Sequence, residues 1–269
     1  MIVDAHMHME EAYPAEILKE QDIACIANAA TPEEYKNLRK LQEKNPFLWI
    51  SAGIHPWKVD EVHWDAMLPI LEEVDIIGEI GLDTVWCNTD MTLQSRLFEQ
   101  QLAFAQRYQK PVILHLKGRE KEALEYLRHY ENRYLVHWYS CDAWLQEYID
   151  LGCWFTVGPS LPFDEAVQHV AACVPLDRML VETDGISACT WCENRKVAPK
   201  EHGAILKRSM HKISEIRNIS YEKLQEQMVL NCEKIYWAAI PVLMKTSINL
   251  EVFLRVFYQK KHVNALINH

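Results

Sequence analysis

The sequence predicts a single (β/α)8 TIM barrel followed by a C-terminal helical extension, and three observations carry that reading. Eight short apolar runs are spaced along the chain, beginning at the first residue. Longer stretches with helical periodicity separate them, as in residues 92–108, where Leu93, Leu97, Leu102 and Ala105 recur near the spacing of one helix face. Finally, 269 residues without a linker or low-complexity segment favour eight βα units closed on themselves over an open doubly wound sheet.

The first run is Met1-Ile-Val-Asp-Ala-His-Met-His8. Side chains two apart on a strand share a face, so Asp4, His6 and His8 point one way and Val3, Ala5 and Met7 the other. A polar stripe on a strand covered on both faces is costly unless something pairs with it. Two imidazoles on that stripe suggest a divalent metal. Residues 23–27 form the second strand, 47–54 the third, 74–80 the fourth and 112–116 the fifth; residues 134–138, 153–157 and 178–184 complete the set. Leu224, Met228 and Tyr236 belong to a later helical pattern that packs outside the barrel. The barrel domain is assigned to residues 1–240 and the tail to residues 241–269. Pro241 breaks the preceding helix, and the tail carries Lys245, Arg255, Lys260 and Lys261 against Glu251. A helix docked on the barrel, rather than a membrane anchor, is expected there.

Charge narrows the functions. With 28 Lys and Arg against 38 Asp and Glu, the net charge of −10 argues against a broad electrostatic nucleic-acid surface. A phosphate substrate stays possible, because bound cations invert the local field. No basic segment followed by an apolar one opens the chain, and no apolar run approaches about 18 residues. A cytoplasmic protein without membrane contact or an obligate protein partner is expected. Eight cysteines in such a compartment are mostly free thiols. Cys189-Thr-Trp-Cys192 has metal or redox spacing but no second pair, and reads as unbonded cysteines in a loop.

In a barrel of this type the strand C-terminal ends carry the chemistry. Those ends present His6, His8, His55, Glu79, His115, His137 and Asp184. Ile77 is in phase with Glu79, Ile113 with His115 and Leu135 with His137, while His63, His129 and His211 read as surface residues. Imidazoles and carboxylates gathered from several strands would repel or stay unsatisfied without metal. They suffice for two divalent ions sharing one bridge, and Glu79, with two oxygens on a central strand, is the natural bridge. Such ions would polarise a phosphoryl oxygen and activate water, and Asp184 would orient that water and take its proton. Lys117, in phase with His115, is the better phosphate contact, with Arg119 as the alternative.

Residues 1–236 resemble the TatD family of metal-dependent hydrolases, within the amidohydrolase-like barrels. The resemblance rests on Asp4-Ala-His-Met-His8, Gly53-Ile-His-Pro56, Gly78-Glu-Ile-Gly-Leu-Asp83, Val112-Ile-Leu-His115, Val136-His-Trp-Tyr-Ser140 and Val181-Glu-Thr-Asp184. Gln94, Phe98-Glu-Gln-Gln-Leu102 and Asn231 before Ile235-Tyr236 extend it. It implies that His6, His8, Glu79 and Asp184 hold one ion and that Glu79, His115 and His137 hold the second. It also implies a metal-dependent deoxyribonuclease using Mg²⁺, Mn²⁺ or Zn²⁺, often trimming strands from an end; a single-stranded DNA end is the expected substrate. Trp57 stands where many members have a second histidine, which leaves His55 as a substrate contact. Lys117 replaces a frequent arginine, and the loop after Asp184 lacks the usual proline.

Trp57, Trp86, Trp138 and Trp191 offer stacking faces around the mouth, although packing into core or loops is the expectation for all four. Two other functions fit the same residues less well. One is amide, lactone or other ester hydrolysis, disfavoured because the bridging role already falls to Glu79 and no lysine is placed for it. The other is a catalytically silent metal-binding partner module, disfavoured by the complete ligand set.

Overall fold

The computed structural model describes residues 1–10, 13–45 and 47–237. Eight parallel strands run in sequence order around a barrel, as expected: β1 (Ile2–Met7), β2 (Ile23–Ala29), β3 (Leu48–Ala52), β4 (Ile76–Asp83), β5 (Val112–Lys117), β6 (Tyr134–Val136), β7 (Trp154–Val157) and β8 (Met179–Val181). Helices fill the connections: α1 (Glu16–Glu20), α2 (Pro32–Gln42), α3 (Trp64–Glu73), α4 (Met91–Tyr108), α5 (Glu120–Leu127), α6 (Leu145–Asp150), α7 (Glu165–Cys173) and α8 (Ile186–Glu193), then α9 (His202–Arg217) and α10 (Tyr221–Cys232). The tail expected over residues 241–269 lies outside the described residues, as does the boundary at 240. Among the described residues no helix is long and apolar enough to cross a membrane.

Local chemistry starts and stops these helices. Thr31 caps α2 by accepting from the Glu34 N–H, with Pro32 in the first turn, where its missing N–H costs nothing. Asp90 caps α4 in the same way by accepting from Leu93, and Asp164 caps α7. Strands β1, β2 and β4 are buried at every residue, since helices cover one face and the barrel interior the other.

Strict alternation fails on two strands, both of which carry site residues. Between Asp4 and Met7, β1 spends three steps where β2 spends two, and β4 does the same against β5 between Ile77 and Ile80. Each is a bulge, which re-aims the side chains beside it. His6 and Glu79 therefore owe their direction to these irregularities, not to phase with Asp4 and Ile77. Beyond the second bulge β4 runs very close to β5: a Cβ on Gly81 would lie 1.7 Å from the His115 carbonyl oxygen, so only glycine fits.

The barrel seam is closed by side chains. Just past β8, the Thr183 N–H and hydroxyl donate to the two oxygens of Asp4 at 3.1 and 2.6 Å, and the Asp184 N–H donates to the His6 carbonyl at 3.2 Å. His202 on α9 meets Asp4 Oδ2 at 2.7 Å through Nε2 and the Tyr13 hydroxyl at 2.6 Å through Nδ1. Asp4 thus faces inward as expected, but joins β1, β8 and α9 rather than a metal.

Helix α4 clamps two strand ends with amides. Gln94 accepts from the Asp83 N–H at 2.9 Å and donates to its carbonyl at 3.0 Å. Two turns later, Gln101 accepts from Ile54 N–H at 2.6 Å and donates to the Ile54 and Leu97 carbonyls. At the other end of the barrel Asn231 donates to the Leu176 and Met179 carbonyls, and the Tyr236 hydroxyl donates to Ala5.

Residues 189–192 are helical, correcting the loop expectation. Gly185, at φ +96, turns the chain straight into α8, and Cys189 is buried with its thiol against the Thr183 carbonyl at 3.4 Å. Both cysteines are free. His63, His129 and His211 are exposed, as expected.

The Gln101 clamp generates a stability prediction. Gln101→Leu keeps the volume but leaves the buried Ile54 N–H and C=O without partners, at about 1–3 kcal/mol for each such group. Urea denaturation should show a lower midpoint with an unchanged slope; an unchanged midpoint would mean that water replaces the amide freely.

Candidate metal centre

Five imidazoles surround one buried carboxylate. Glu79 arrives from the β4 bulge, His6 from β1, His115 from β5, and His8, His55, His137 and Asp184 from the turns just beyond β1, β3, β6 and β8. The two oxygens of Glu79 serve different groups. Oε1 lies 2.7 Å from His137 Nε2, 2.8 Å from His115 Nδ1 and 3.5 Å from His55 Nε2. Oε2 lies 2.8 Å from His8 Nε2 and 3.3 Å from His6 Nε2. Asp184 Oδ1 approaches the second group, 3.4 Å from His6 and 3.8 Å from His8. Asp184 sits past the strand in the left-handed region, at φ +58, so a turn rather than strand alternation aims it inward.

Partners behind the rings decide which nitrogen is free. A carboxylate only accepts, so Asp83 Oδ2, 2.9 Å from His115 Nε2, takes that N–H and leaves the Nδ1 lone pair facing Glu79. Glu182 Oε1 stands 3.4 Å from His137 Nδ1, an ion-pair distance rather than a well-formed hydrogen bond, and favours the proton there, leaving Nε2 toward Glu79. Carboxylate-backed imidazoles with the opposite nitrogen free are the usual arrangement of metal-binding histidines. His55 is the reverse case. Its Nδ1 accepts the Trp57 N–H at 3.1 Å, so its proton sits on Nε2, which then donates. His55 is therefore placed to donate to an oxygen, and its fit as a ligand is poor even though Nε2 lies in one compact group with Glu79 and His115.

The fields are strong. Burial lowers the pKa of His137, but Glu79 and Glu182 overcome it and raise the group to about 9. The same contest raises His6, where Glu79 and Asp184 prevail over burial. For His55 burial wins, and its pKa falls to about 4, so the ring is neutral. Burial pushes Glu79 upward, yet His137, His55, His6 and His115 bring it well below the usual carboxylate range. Asp184 is likewise lowered against burial, chiefly by His6 and His137.

The donor set fits divalent ions. His6 Nδ1 and Nε2 and Asp184 Oδ1 are buried with no hydrogen-bond partner in the protein. Nitrogen and oxygen atoms of His6, His8 and Glu79, and of His6, His137 and Asp184, lie within 4.8 Å of one another. Imidazole with carboxylate suits Zn²⁺ and Mn²⁺ and admits Mg²⁺.

Glu79 and the six expected ligand and contact residues around it thus meet in one place; Lys117 is more constrained than expected. Its ammonium donates to the Trp138 carbonyl at 2.8 Å and Ser140 Oγ at 2.9 Å, so it ties β5 to the turn after β6 instead of standing free. Arg119 pairs with Glu122 on the surface. Of the four tryptophans only Trp138 is packed away, with Nε1 donating to Ser160; Trp57, Trp86 and Trp191 are exposed, contrary to the packing expectation. Sequence reasoning gave no role to Asp83, Asn28 or His202. Asp83 had a signal, being an acid on a strand buried on both faces. Asn28, whose Oδ1 accepts the Glu79 N–H and the Ser51 hydroxyl, and His202, inside a helical pattern, had none.

Comparison with known proteins places this geometry in a family. The family model described as TatD related DNase matches residues 3–237. A protein of Haemophilus influenzae named as an uncharacterized metal-dependent hydrolase is 24% identical over 262 residues, covering 88% of this chain and 99% of its own. The 3'-5' ssDNA/RNA exonuclease TatD of Citrobacter rodentium is 25% identical over 221 residues, 76% of this chain and 82% of its own. The crystal structure of YjjV, a TatD homologue from Escherichia coli K12, superposes with a TM-score of 0.75 at 22% identity, covering 89% of this chain and 98% of that one. The barrel, the divided surroundings of Glu79 and the match over residues 3–237 lead to one conclusion: the chain belongs to the family of TatD-related DNases, the metal-dependent hydrolases.

Proposed function

We propose that this hydrolase cleaves phosphodiester bonds of DNA at a single-stranded end, with two divalent ions held on either side of Glu79. The observation that carries it is the division of the Glu79 oxygens, Oε1 toward His115 and His137 and Oε2 toward His6 and His8. His6, His8, Glu79 and Asp184 would hold one ion, and Glu79, His115 and His137 the other. When bound, such ions act as Lewis acids on the phosphoryl oxygen and lower the pKa of the attacking water. The relative from Citrobacter rodentium, named as an exonuclease on single-stranded DNA and RNA, supports the substrate class.

The protein's own groups then have distinct tasks. Asp184 is ionised and partly open to solvent, so it can orient the attacking water and accept its proton. His55, neutral with its proton on Nε2, can donate to a phosphate oxygen. Asp83 keeps His115 in the tautomer that presents Nδ1. Lys117 adds a fixed positive charge beside the site; burial lowers its pKa, while Asp184 and Glu182 act to raise it. The direct test offers protein loaded with Mg²⁺, Mn²⁺ or Zn²⁺ end-labelled single- and double-stranded DNA, RNA, simple phosphoesters and lactones. Stepwise shortening of single-stranded DNA is expected, and hydrolysis of lactones alone would overturn the reading.

Three predictions follow from the geometry. Glu79→Ala should lose both ions on gentle chelation whereas His115→Ala should lose mainly one, as elemental analysis would show; full metal content in Glu79→Ala would remove the bridge. Asp184→Asn keeps the shape but not the proton acceptor, and should cut turnover by about 10² to 10⁴ while the fold survives. Parent-like cleavage by that variant would remove Asp184 from catalysis.

The third concerns pH. His137 is raised from 6.5 to about 9 in the metal-free protein, so its stabilising contribution is present below 6.5 and disappears as pH rises through about 9. A cation taking Nε2 must displace that proton. The gain in Tm on metal loading should therefore grow from pH 6 to pH 9, and a constant gain would show that His137 carries no proton to displace.

A further inference from the structure

The large hydrophobic side chains exposed among the described residues are Trp57, Val85, Trp86, Tyr108, Phe163 and Trp191. Tyr108 ends α4 at the base of the barrel. The other five follow the C-terminal ends of β3, β4, β7 and β8, so they ring the mouth above Glu79. Exposed apolar surface gathered at one end of a barrel marks a binding surface rather than scattered surface residues.

The rim is also held in shape. Trp86 and Trp191 meet edge to face, with ring centres 5.4 Å apart and planes at 84°, and they remain 53% and 63% exposed. Trp138 stands 6.3 Å behind Trp191, fixed by its hydrogen bond to Ser160. Three indoles thus link the ends of β4, β6 and β8. Trp86 is pinned through its backbone, because Asp83 Oδ1 accepts the Val85 and Trp86 N–H groups at 2.7 and 2.8 Å. The other oxygen of Asp83 accepts Trp57 Nε1 at 2.6 Å and His115 Nε2 at 2.9 Å. One carboxylate therefore sets both a proposed metal ligand and two rim indoles.

Charge points to what these rings hold. The chain carries −10 and Lys117 adds only one positive charge beside the site, so a strand gains little from counterion release here. Stacking supplies the missing affinity without reading sequence, since every base has a π-face. We infer that Trp86 and Trp191 form a subsite for one unpaired nucleobase flanking the phosphodiester bond over Glu79. This inference rests on the phosphodiesterase reading above and names how the strand is gripped.

The test measures binding apart from cleavage. Mn²⁺-loaded protein is titrated, by fluorescence anisotropy, into a short single-stranded oligodeoxynucleotide whose last linkages are non-hydrolysable methylene phosphonates. The same strand lacking the bases of its last two nucleotides is run beside it. The parent should bind the complete strand roughly 5- to 150-fold more tightly, the range for one base on an aromatic ring. Trp191→Ala and Trp86→Ala should erase most of that preference at unchanged metal content, while Tyr108→Ala keeps it. Equal binding of both strands by the parent, or an undiminished preference in both tryptophan variants, would overturn the subsite. So would loss of self-association in those variants with no base preference in the parent, which would make the rim an interface between copies. A base preference without cleavage of any DNA would sink the phosphodiesterase reading and leave the subsite standing; cleavage without preference would do the reverse.

Discussion

Everything at the mouth of this barrel depends on keeping one carboxylate ionised where water barely reaches it. Glu79 is 1% exposed. A lone charge there would cost several kcal/mol and would take up a proton instead. The five imidazoles prevent that, and they are brought from four different places in the chain. His6 and His8 come with the first strand, His137 from beyond the middle, and the Asn28 amide fixes the Glu79 backbone from below. The fold can be understood as the scaffold that makes this crowding tolerable.

Two devices give the crowding its precision. One is the pair of bulges, which sacrifice a regular ladder at His6 and Glu79 to turn these side chains toward each other. The other is the set of carboxylates that stand behind the rings. Asp83 and Glu182 orient His115 and His137, while Asp4 holds the turn that carries Asp184. Rigid supports of this kind matter more than the ligands' mere presence, because a site loose by about 1 Å loses most of its chemistry.

Much of this was legible in the sequence. Eight apolar runs with intervening helical periodicity specify the barrel, and a polar residue at the end of a buried strand stands out against its neighbours. Glu79 and His115 are visible for that reason. What was not legible depends on contacts between distant segments. Gly78, at φ +132, is a local hint of the bulge on β4, since a glycine inside a strand often marks one, but how β4 must meet β5 is not written in local composition. The Nε2 proton of His55 follows from the Trp57 N–H, seen only in three dimensions. His202 hides in an amphipathic pattern where a histidine is unremarked. The exposed indoles ran against the tendency of tryptophan to be buried, and α8 against the loop composition of residues 185–192. The subsite inferred for the rim would account for the first; Gly185 at φ +96 explains the second.

The seam between the first and last strands bears on how the protein is made. Asp4 emerges from the ribosome early, and its partners Thr183 and His202 almost two hundred residues later. Likewise His6 and His8 must wait for Asp184. A nascent chain that stops short of residue 183 has His6, His8 and Glu79 but neither the side-chain closure of the seam nor Asp184. The set of residues gathered around Glu79 is therefore complete only late in synthesis, once the chain has passed Asp184.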